Sequence, residues 1–450
     1  MMKRVVILGA GESGTGAALL AKAKGFEVFV SDQSQIKEKY KAELKQHDVA
    51  FEEGLHSDEK ILNAKLIIKS PGIPEKAEII KKIRAASIDV IDEIEFAYRY
   101  FKGKVIAVTG TNGKTTTTLL TYHLMKNAGF SVALGGNVGF SMARQVAQQH
   151  FDWFVLELSS FQLDGIDTFK PQIAIMLNIT PDHMDRYEYT MQNYVNSKFM
   201  LIKNMTPQEH FIYYADDQVI FGEVKTRAIV PQQIQVSLQP SSTAPVRFDG
   251  EKMTFRVGED FSITQSDTTL KGPHNLINTM AAVSAVHVAG GSLKSIRDGL
   301  RTFKNAPHRL ESVAHIKGVE FVNDSKATNV DSVVYALGSY DKPLVWIAGG
   351  IDKGNDYNVI KEEVKKKVRA LICLGKDNEK LKKAFSGTVS TIKETQSVKE
   401  LVHMALQEAQ TGDVVLLSPA CASFDLFKNY EDRGDQFRSA VLELKKEMEA

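Results

Sequence analysis

The sequence predicts an α/β protein of three domains, on three observations. Short apolar runs end repeatedly in glycine or polar turns and lead into helix-like stretches, the rhythm of doubly wound parallel sheets. This alternation extends over 450 residues, too many for one core. It is broken by a helix-like segment at 92–101 and by a polar stretch at 306–311. The expected domains are therefore 1–94, 95–304 and 305–450.

Composition narrows the function classes. With 43% hydrophobic and 25% charged residues, the chain resembles an ordinary globular protein. A formal net charge of +1 argues against a general nucleic-acid or membrane-surface role. Small-molecule substrates and a monomer are expected, with no nucleic-acid or membrane partner. The two cysteines, Cys373 and Cys421, form no metal-type cluster and suit a reducing compartment. No apolar run is long enough for a leader or a membrane span, so a cytoplasmic location is expected.

Residues 4–8 read as a buried strand. Gly9, Gly11 and Gly14 follow in a G-x-G-x-x-G pattern, then helix-like residues 15–25 and a second strand at 27–30 ending near Asp32. This is a dinucleotide-type fingerprint in its proper context and predicts a Rossmann-like N-terminal domain. Taken alone it suggests a nicotinamide-dependent oxidoreductase; a nucleotide diphosphate at the helix start is the more cautious reading. Residues 64–69 form the next expected strand, and Ser70-Pro71-Gly72 the turn at its carboxyl end, where open α/β sheets place ligands.

The middle of the chain is organised around residues 104–118, KVIAVTGTNGKTTTT. A β-rich run feeds Gly110-Thr111-Asn112-Gly113, and Lys114, Thr115 and Thr116 open a helix. That is a phosphate loop: backbone N–H groups and the helix N-terminus face phosphates, Lys114 reaches the outer ones, and Thr115 is placed to ligate Mg²⁺. Only two residues separate Gly110 from Gly113, against four in the general pattern. A central P-loop ATPase domain with a mostly parallel sheet follows. The strand at 151–157 ends on Glu157, a candidate Mg²⁺ ligand. The strand at 171–177 leads to Asp182-His183-Met184-Asp185, where His183 suits a metal or phosphate. Lys198, on a helix at 190–204, reads as a surface lysine. His274, Asn275 and Asn278 sit at a helix start, capping it or touching a ligand.

In the last third, strands expected at 319–323, 344–348, 370–374 and 413–417 end in polar or glycine turns. They predict a C-terminal Rossmann-like α/β domain. Cys421 reads as a small buried thiol rather than a nucleophile.

GTNGKTTT, ELSSFQLD, NITPDHMDRY, GPHNLIN, APHRLE, NDSKATN and SPACASFDLFKNYEDRG occur in this order. Together they resemble the ATP-dependent Mur ligases of bacterial peptidoglycan synthesis, and NDSKATN and SPACASFD resemble the D-glutamate-adding branch. The resemblance implies an amide ligase that acts through an acyl phosphate and uses ATP, UDP-N-acetylmuramoyl-L-alanine and D-glutamate. It further implies that Glu12, Ser13, Asp32, Gln33, Ser70, Pro71 and Gly72 hold the uridine diphosphate. Asn137, Ser159, Gln162 and His183 would hold the sugar-peptide end. Lys114, Arg309 and Mg²⁺ would neutralise charge, with two Mg²⁺ ions held by Thr115 and Glu157 and by His183 and Lys198. Lys198 would be carbamylated by CO₂, which displaces the surface-lysine reading. Asn275, Asn278, Arg309 and Asp324 would touch ATP, and Lys326, Thr328, Lys353, Ser423, Phe424 and Tyr430 would surround D-glutamate. Glu12, Phe424 and Tyr430 differ in type from the relatives' residues. Two rivals stand beside this reading. An oxidoreductase leaves the phosphate loop unexplained, and a non-catalytic nucleotide-binding regulator would tolerate Lys114→Ala.

Overall fold

A computed structural model describes residues 3–270 and 272–449. Three sheets account for its strands. The first contains β1 (Arg4–Leu8), β2 (Glu27–Asp32), β3 (Ala50–Glu53), β4 (Leu66–Lys69) and β5 (Asp89–Asp92). They run in the order β3-β2-β1-β4-β5, all parallel. The chain reverses its direction of winding between β1 and β4, the place where such sheets open a crevice at their carboxyl ends. Val5, Val6, Ile7 and Leu8 are fully buried, as a central parallel strand requires.

The second sheet contains β6 (Lys104–Thr109), β7 (Val132–Gly136), β8 (Trp153–Glu157), β9 (Ile173–Met176), β10 (His210–Tyr214), β11 (Gln232–Ser237), β12 (Val246–Phe248), β13 (Lys252–Val257) and β14 (Glu259–Thr264). Its order is β14-β13-β12-β11-β10-β9-β6-β8-β7. Only the β12–β13–β14 end is antiparallel. β6 therefore lies between β9 and β8, with Val108 opposite Ile175 and Glu157.

The third sheet contains β15 (Glu311–Ile316), β16 (Val319–Asn323), β17 (Leu344–Gly349), β18 (Val368–Leu374), β19 (Thr391–Thr395) and β20 (Val414–Ala420). Its order is β15-β16-β20-β17-β18-β19, with only β15–β16 antiparallel. Two compact units result. Met1–Thr269 with Leu276–Phe303 holds the first two sheets, and Leu270–Asn275 with Lys304–Ala450 holds the third.

The observed elements correct several expectations. The first helix is Glu12–Ala23, so Glu12 and Ser13 lie in its first turn rather than before it. Residue 311 is not linker: Glu311 begins β15, an edge strand whose half-exposed side chains gave no apolar run. Residues 190–204 split into the helix Met191–Phe199 and a tight turn at Met200–Ile202. The helix Glu38–Gln46 and β3 went unread because their faces are mostly polar.

In the first unit, the helix Met142–Gln148 packs on Glu12–Ala23. Arg144 donates to Glu12 Oε1 at 2.7 Å and Oε2 at 3.1 Å and also pairs with Glu43. Glu93, buried at the end of β5, accepts from Ser141 Oγ at 2.7 Å and Ala143 N at 2.6 Å. Burial pushes its carboxyl up to about 7, against those two hydrogen bonds.

Candidate active site

The phosphate loop leaves β6 at Gly110 and enters the helix Lys114–Asn127 at Gly113, which has φ 83°. That left-handed conformation suits glycine, and a Cβ there would come 2.5 Å from Asn278 Oδ1. Asn278 Oδ1 accepts from Thr117 Oγ1 at 3.1 Å, so one of the expected ATP residues rests against the loop.

Asn178, at the end of β9, holds the loop by its backbone. Its Oδ1 accepts from Thr111 N at 3.1 Å and Asn112 N at 2.8 Å, and its Nδ2 donates to Asn112 O at 3.0 Å. Thr111 Oγ1 donates to Thr180 O at 3.0 Å. Lys114 Nζ folds onto the loop carbonyls of Gly110 and Thr111 at 2.9 and 2.8 Å.

Lys198 is 1% exposed, so the surface-lysine reading is wrong: the residue faces inward from Met191–Phe199. Its Nζ donates to Gly110 O at 2.8 Å and lies 4.5 Å from the Tyr194 ring centre. Burial, then the charge of Lys114, drives its pKa well below the ordinary lysine value. Burial thus disfavours the charged form of Lys198 at the loop.

Glu157 ends β8 on the other side of β6 and is 3% exposed. Asn137 Nδ2 donates to its Oε1 at 2.9 Å. Its buried Oε2 has no hydrogen-bond partner among the described residues. An unpaired buried carboxylate oxygen costs free energy unless a cation or proton meets it. This oxygen and the hydroxyl of Thr115 are hard donors of the kind Mg²⁺ takes. Among the described residues, no three His, Cys, Asp or Glu side chains converge as a metal site of their own.

His183 (φ 53°) lies 5.1 Å from the Phe161 ring, its Nε2 3.6 Å from Asp182. Arg186 stacks 4.6 Å over Phe161 and donates to Pro71 O and Gly72 O at 3.3 and 3.0 Å. The Ser70-Pro71-Gly72 turn is thereby tied to the segment carrying His183. Ser159 and Gln162 engage each other in a capping box on Ser160–Leu163.

At the tips of β1, β2 and β4 lies a cavity of about 680 Å³, lined by Gly9, Gly11, Asp32, Gln33, Ser70 and Gly72 among others. Asp32 fixes its rim, accepting from Ala10 N at 2.7 Å and Ser34 N at 2.8 Å. Gly14 allows the close approach of helix and strand, since a Cβ there would lie 1.8 Å from Gly9 O. Ser13 is half-buried in the same first turn as Glu12, whose carboxylate is taken by Arg144.

In the second unit, Asp324 is buried and accepts from Ser418 Oγ at 2.9 Å and Leu310 N at 3.2 Å. Burial pushes its carboxyl up to about 7, with these bonds and Arg309 opposing. Lys326 Nζ lies 3.7 Å from the Tyr430 ring centre. Ser423 is buried, Phe424 and Lys353 are exposed, and Thr328 is half-buried. Asn275 is 5% exposed. Cys421 is a buried thiol raised by burial, 3.4 Å from Tyr357 Oη, as expected of an inert side chain.

Three site residues were missed in the sequence. Asn178 lay inside NITPDH, and Arg186 three residues past His183. Arg433, 1% exposed, donates to Ser325 Oγ and O, Gly349 O and Cys421 O at 2.9, 2.9, 3.3 and 3.2 Å. It joins three motif turns, and only its presence in NYEDRG hinted at that.

A phosphate loop with a hard-donor carboxylate on one flank and a buried lysine on the other, beside a separate nucleotide-type crevice, marks a nucleotide-using class of enzyme. Comparison with known proteins agrees. Residues 108–286 match the Mur ligase middle domain, 308–421 the Mur ligase glutamate ligase domain, and 4–79 the MurD N-terminal domain. A UDP-N-acetylmuramoylalanine–D-glutamate ligase of Cytophaga hutchinsonii is 54% identical over 99% of this chain and 100% of its own length. Its counterpart from Bacteroides thetaiotaomicron is 49% identical over 98% of this chain and 100% of its own. The MurF ligase of Thermotoga maritima, solved with ADP, shares the fold at TM-score 0.62 and 15% identity, over 98% of this chain and 99% of its own. The chain belongs to the Mur ligase family.

Proposed function

We propose that this chain joins the amine of D-glutamate to the L-alanyl carboxylate of UDP-N-acetylmuramoyl-L-alanine, using ATP, in peptidoglycan precursor synthesis. The observation that carries the reading is a phosphate loop flanked by Glu157 and Lys198, in a chain matching D-glutamate ligases from end to end. The carboxylate attacks the γ-phosphoryl group, giving an acyl phosphate and ADP. The amine then attacks the acyl carbon, and the tetrahedral intermediate collapses to the amide and phosphate.

The first step brings two anions together, so charge neutralisation and positioning dominate. Lys114 leaves its loop carbonyls for the phosphates, with the loop residues from Gly110 to Thr116 around them. Arg309 serves the same charge, and Asn275, Asn278 and Asp324 serve ATP. Mg²⁺ supplies further neutralisation when bound; Thr115 and Glu157 would hold one ion, His183 and Lys198 a second. Lys198 suits a ligand role only if its neutral amine adds CO₂, losing a proton to give a carbamate with carboxylate-like oxygens. Ser13, Asp32, Gln33, Ser70, Pro71 and Gly72 take the uridine diphosphate, with Glu12 contributing its backbone. Asn137, Ser159, Gln162 and His183 take the sugar-peptide end. Lys326, Thr328, Lys353, Ser423, Phe424 and Tyr430 take D-glutamate, whose two carboxylates suit lysines and hydroxyls. A cytoplasmic monomer fits these substrates.

The test supplies ATP, Mg²⁺ and UDP-N-acetylmuramoyl-L-alanine with a panel of amino acids. Phosphate release should depend on D-glutamate; release that does not depend on it refutes the assignment. Lys198→Ala should lose turnover and regain part of it with a short-chain carboxylic acid, whereas rescue by an amine would argue for a cation at 198.

A further inference from the structure

His56 lines the cavity of the first sheet on the segment after β3. Its Nδ1 lies 2.7 Å from the hydroxyl of the fully buried Ser31. The same hydroxyl lies 2.8 Å from Glu52 Oε1. Glu52 also accepts from Ser57 N, Ser57 Oγ and Lys60 Nζ at 2.8, 2.7 and 3.1 Å. Burial alone would raise the Glu52 carboxyl, but these hydrogen bonds hold it at about 2, so it is ionised.

A hydroxyl has one proton to give. The charged carboxylate at 2.8 Å takes it in preference to the Leu55 carbonyl at 3.4 Å. Ser31 Oγ is then an acceptor toward His56, and Nδ1 must carry the hydrogen. Burial favours the neutral ring against the charges of Asp32 and Glu52; Asp58 and Lys82, paired with each other, also line the cavity. A neutral imidazole protonated on Nδ1 leaves a bare lone pair on Nε2.

The cavity also has a direction. Gly9, Gly11 and the N-terminus of the helix Glu12–Ala23 suit a pyrophosphate. The Asp32 end of β2 is where this topology places a ribose. The base is left with Leu55, which is 50% exposed, His56, and a wall of Ile73, Pro74 and Ala77. We infer that His56 reads the base: its Nε2 accepts the N3–H of uracil and selects uridine over cytidine diphosphates. This rests on taking the cavity as the UDP site. Cytosine N3 has no hydrogen and would set lone pair against lone pair. To evade that, the relay would have to reverse, with Ser31 donating to Nδ1 and Glu52 losing a buried donor. The relay therefore makes the discrimination hard to escape.

Calorimetric titration of the full chain with UDP, CDP and N3-methyl-UDP tests this. Wild type should bind UDP about tenfold more tightly than either analogue, the effect of one buried hydrogen bond. His56→Phe should lose that factor for UDP and bind CDP no more weakly than wild type, so that the two bind alike. Ser31→Ala should shrink the UDP/CDP ratio by freeing the tautomer. Asp32→Ala should weaken UDP and CDP alike. Equal binding of UDP and CDP by wild type, or a His56→Phe ratio like wild type's, overturns the role of His56. If Asp32→Ala changes neither affinity, the assignment of the cavity itself falls, and the inference with it.

Discussion

Replacing Asn178 with alanine should disable the phosphate loop without touching any group that meets ATP directly. The side chain makes three hydrogen bonds to loop backbone, to Thr111 N, Asn112 N and Asn112 O. Thr111 N keeps a second acceptor in Asn178 O at 2.9 Å, so that bond is replaced. The substitution also removes both bonds to Asn112. At about 1 kcal/mol each, their loss withdraws about 2 kcal/mol from the loop's bound geometry. That corresponds to a roughly 30-fold weaker ATP affinity. Titration with a fluorescent ATP analogue would read the affinity, and phosphate release at saturating substrates would read turnover. Circular dichroism would check that the second sheet is intact. A variant that folds, binds ATP as wild type does and turns over normally would refute the view that this side chain sets the loop. Asn178→Asp separates the contributions: it keeps the acceptor but loses the donor and adds negative charge beside the phosphates, so it should bind ATP more weakly than Asn178→Ala.

Other perturbations follow from burial and charge. Lys198→Met should raise the melting temperature near neutral pH while abolishing turnover, because burying a lysine costs stability that the site uses for function. The sign follows from linkage. The Lys198 pKa is depressed in the fold, so the unfolded chain binds more protons and its contribution to stability rises with pH toward 10.5. Glu93 acts oppositely: its stabilisation is present below 4.5 and is lost as pH rises through about 7. Urea midpoints from acid to neutral pH should vary less in Glu93→Gln. Arg144→Ala should destabilise the first unit by about 1–3 kcal/mol, since it strands Glu12 and Glu43, and Glu12→Leu should recover part of that loss in a double-mutant cycle. Arg433→Met should destabilise the second unit by about 3 kcal/mol or more, read by chemical denaturation, because four buried acceptors lose their donor.

Much of the fold was legible because parallel strands advertise themselves. β1, β6 and β8 are apolar runs that end in glycine or an acid. The phosphate loop was legible because its glycines, lysine and helix occupy one contiguous stretch. Edge strands such as β15 were hidden because half their side chains face water and break the pattern. The ties that set the site were hidden for a different reason. Asn178 reaches back 66 residues to Asn112, and Arg144 reaches 132 residues to Glu12. No spacing in a sequence encodes such a pairing. The S-x-x-Q of Ser159 and Gln162 caps a helix, a local signal that went unread beside the ligand role expected of the two residues.

The strand order of the third sheet governs how the chain can be made. β20 lies between β16 and β17, and Arg433 comes later still. On the ribosome the first sheet is complete once Asp92 has emerged, so it can form early. The third sheet must wait with a gap at its centre until β20 is out. A product that stops before Val414 would carry two unpaired interior edges, an open template for aggregation. Arrest of translation between β19 and β20 therefore leaves the third sheet at its most exposed.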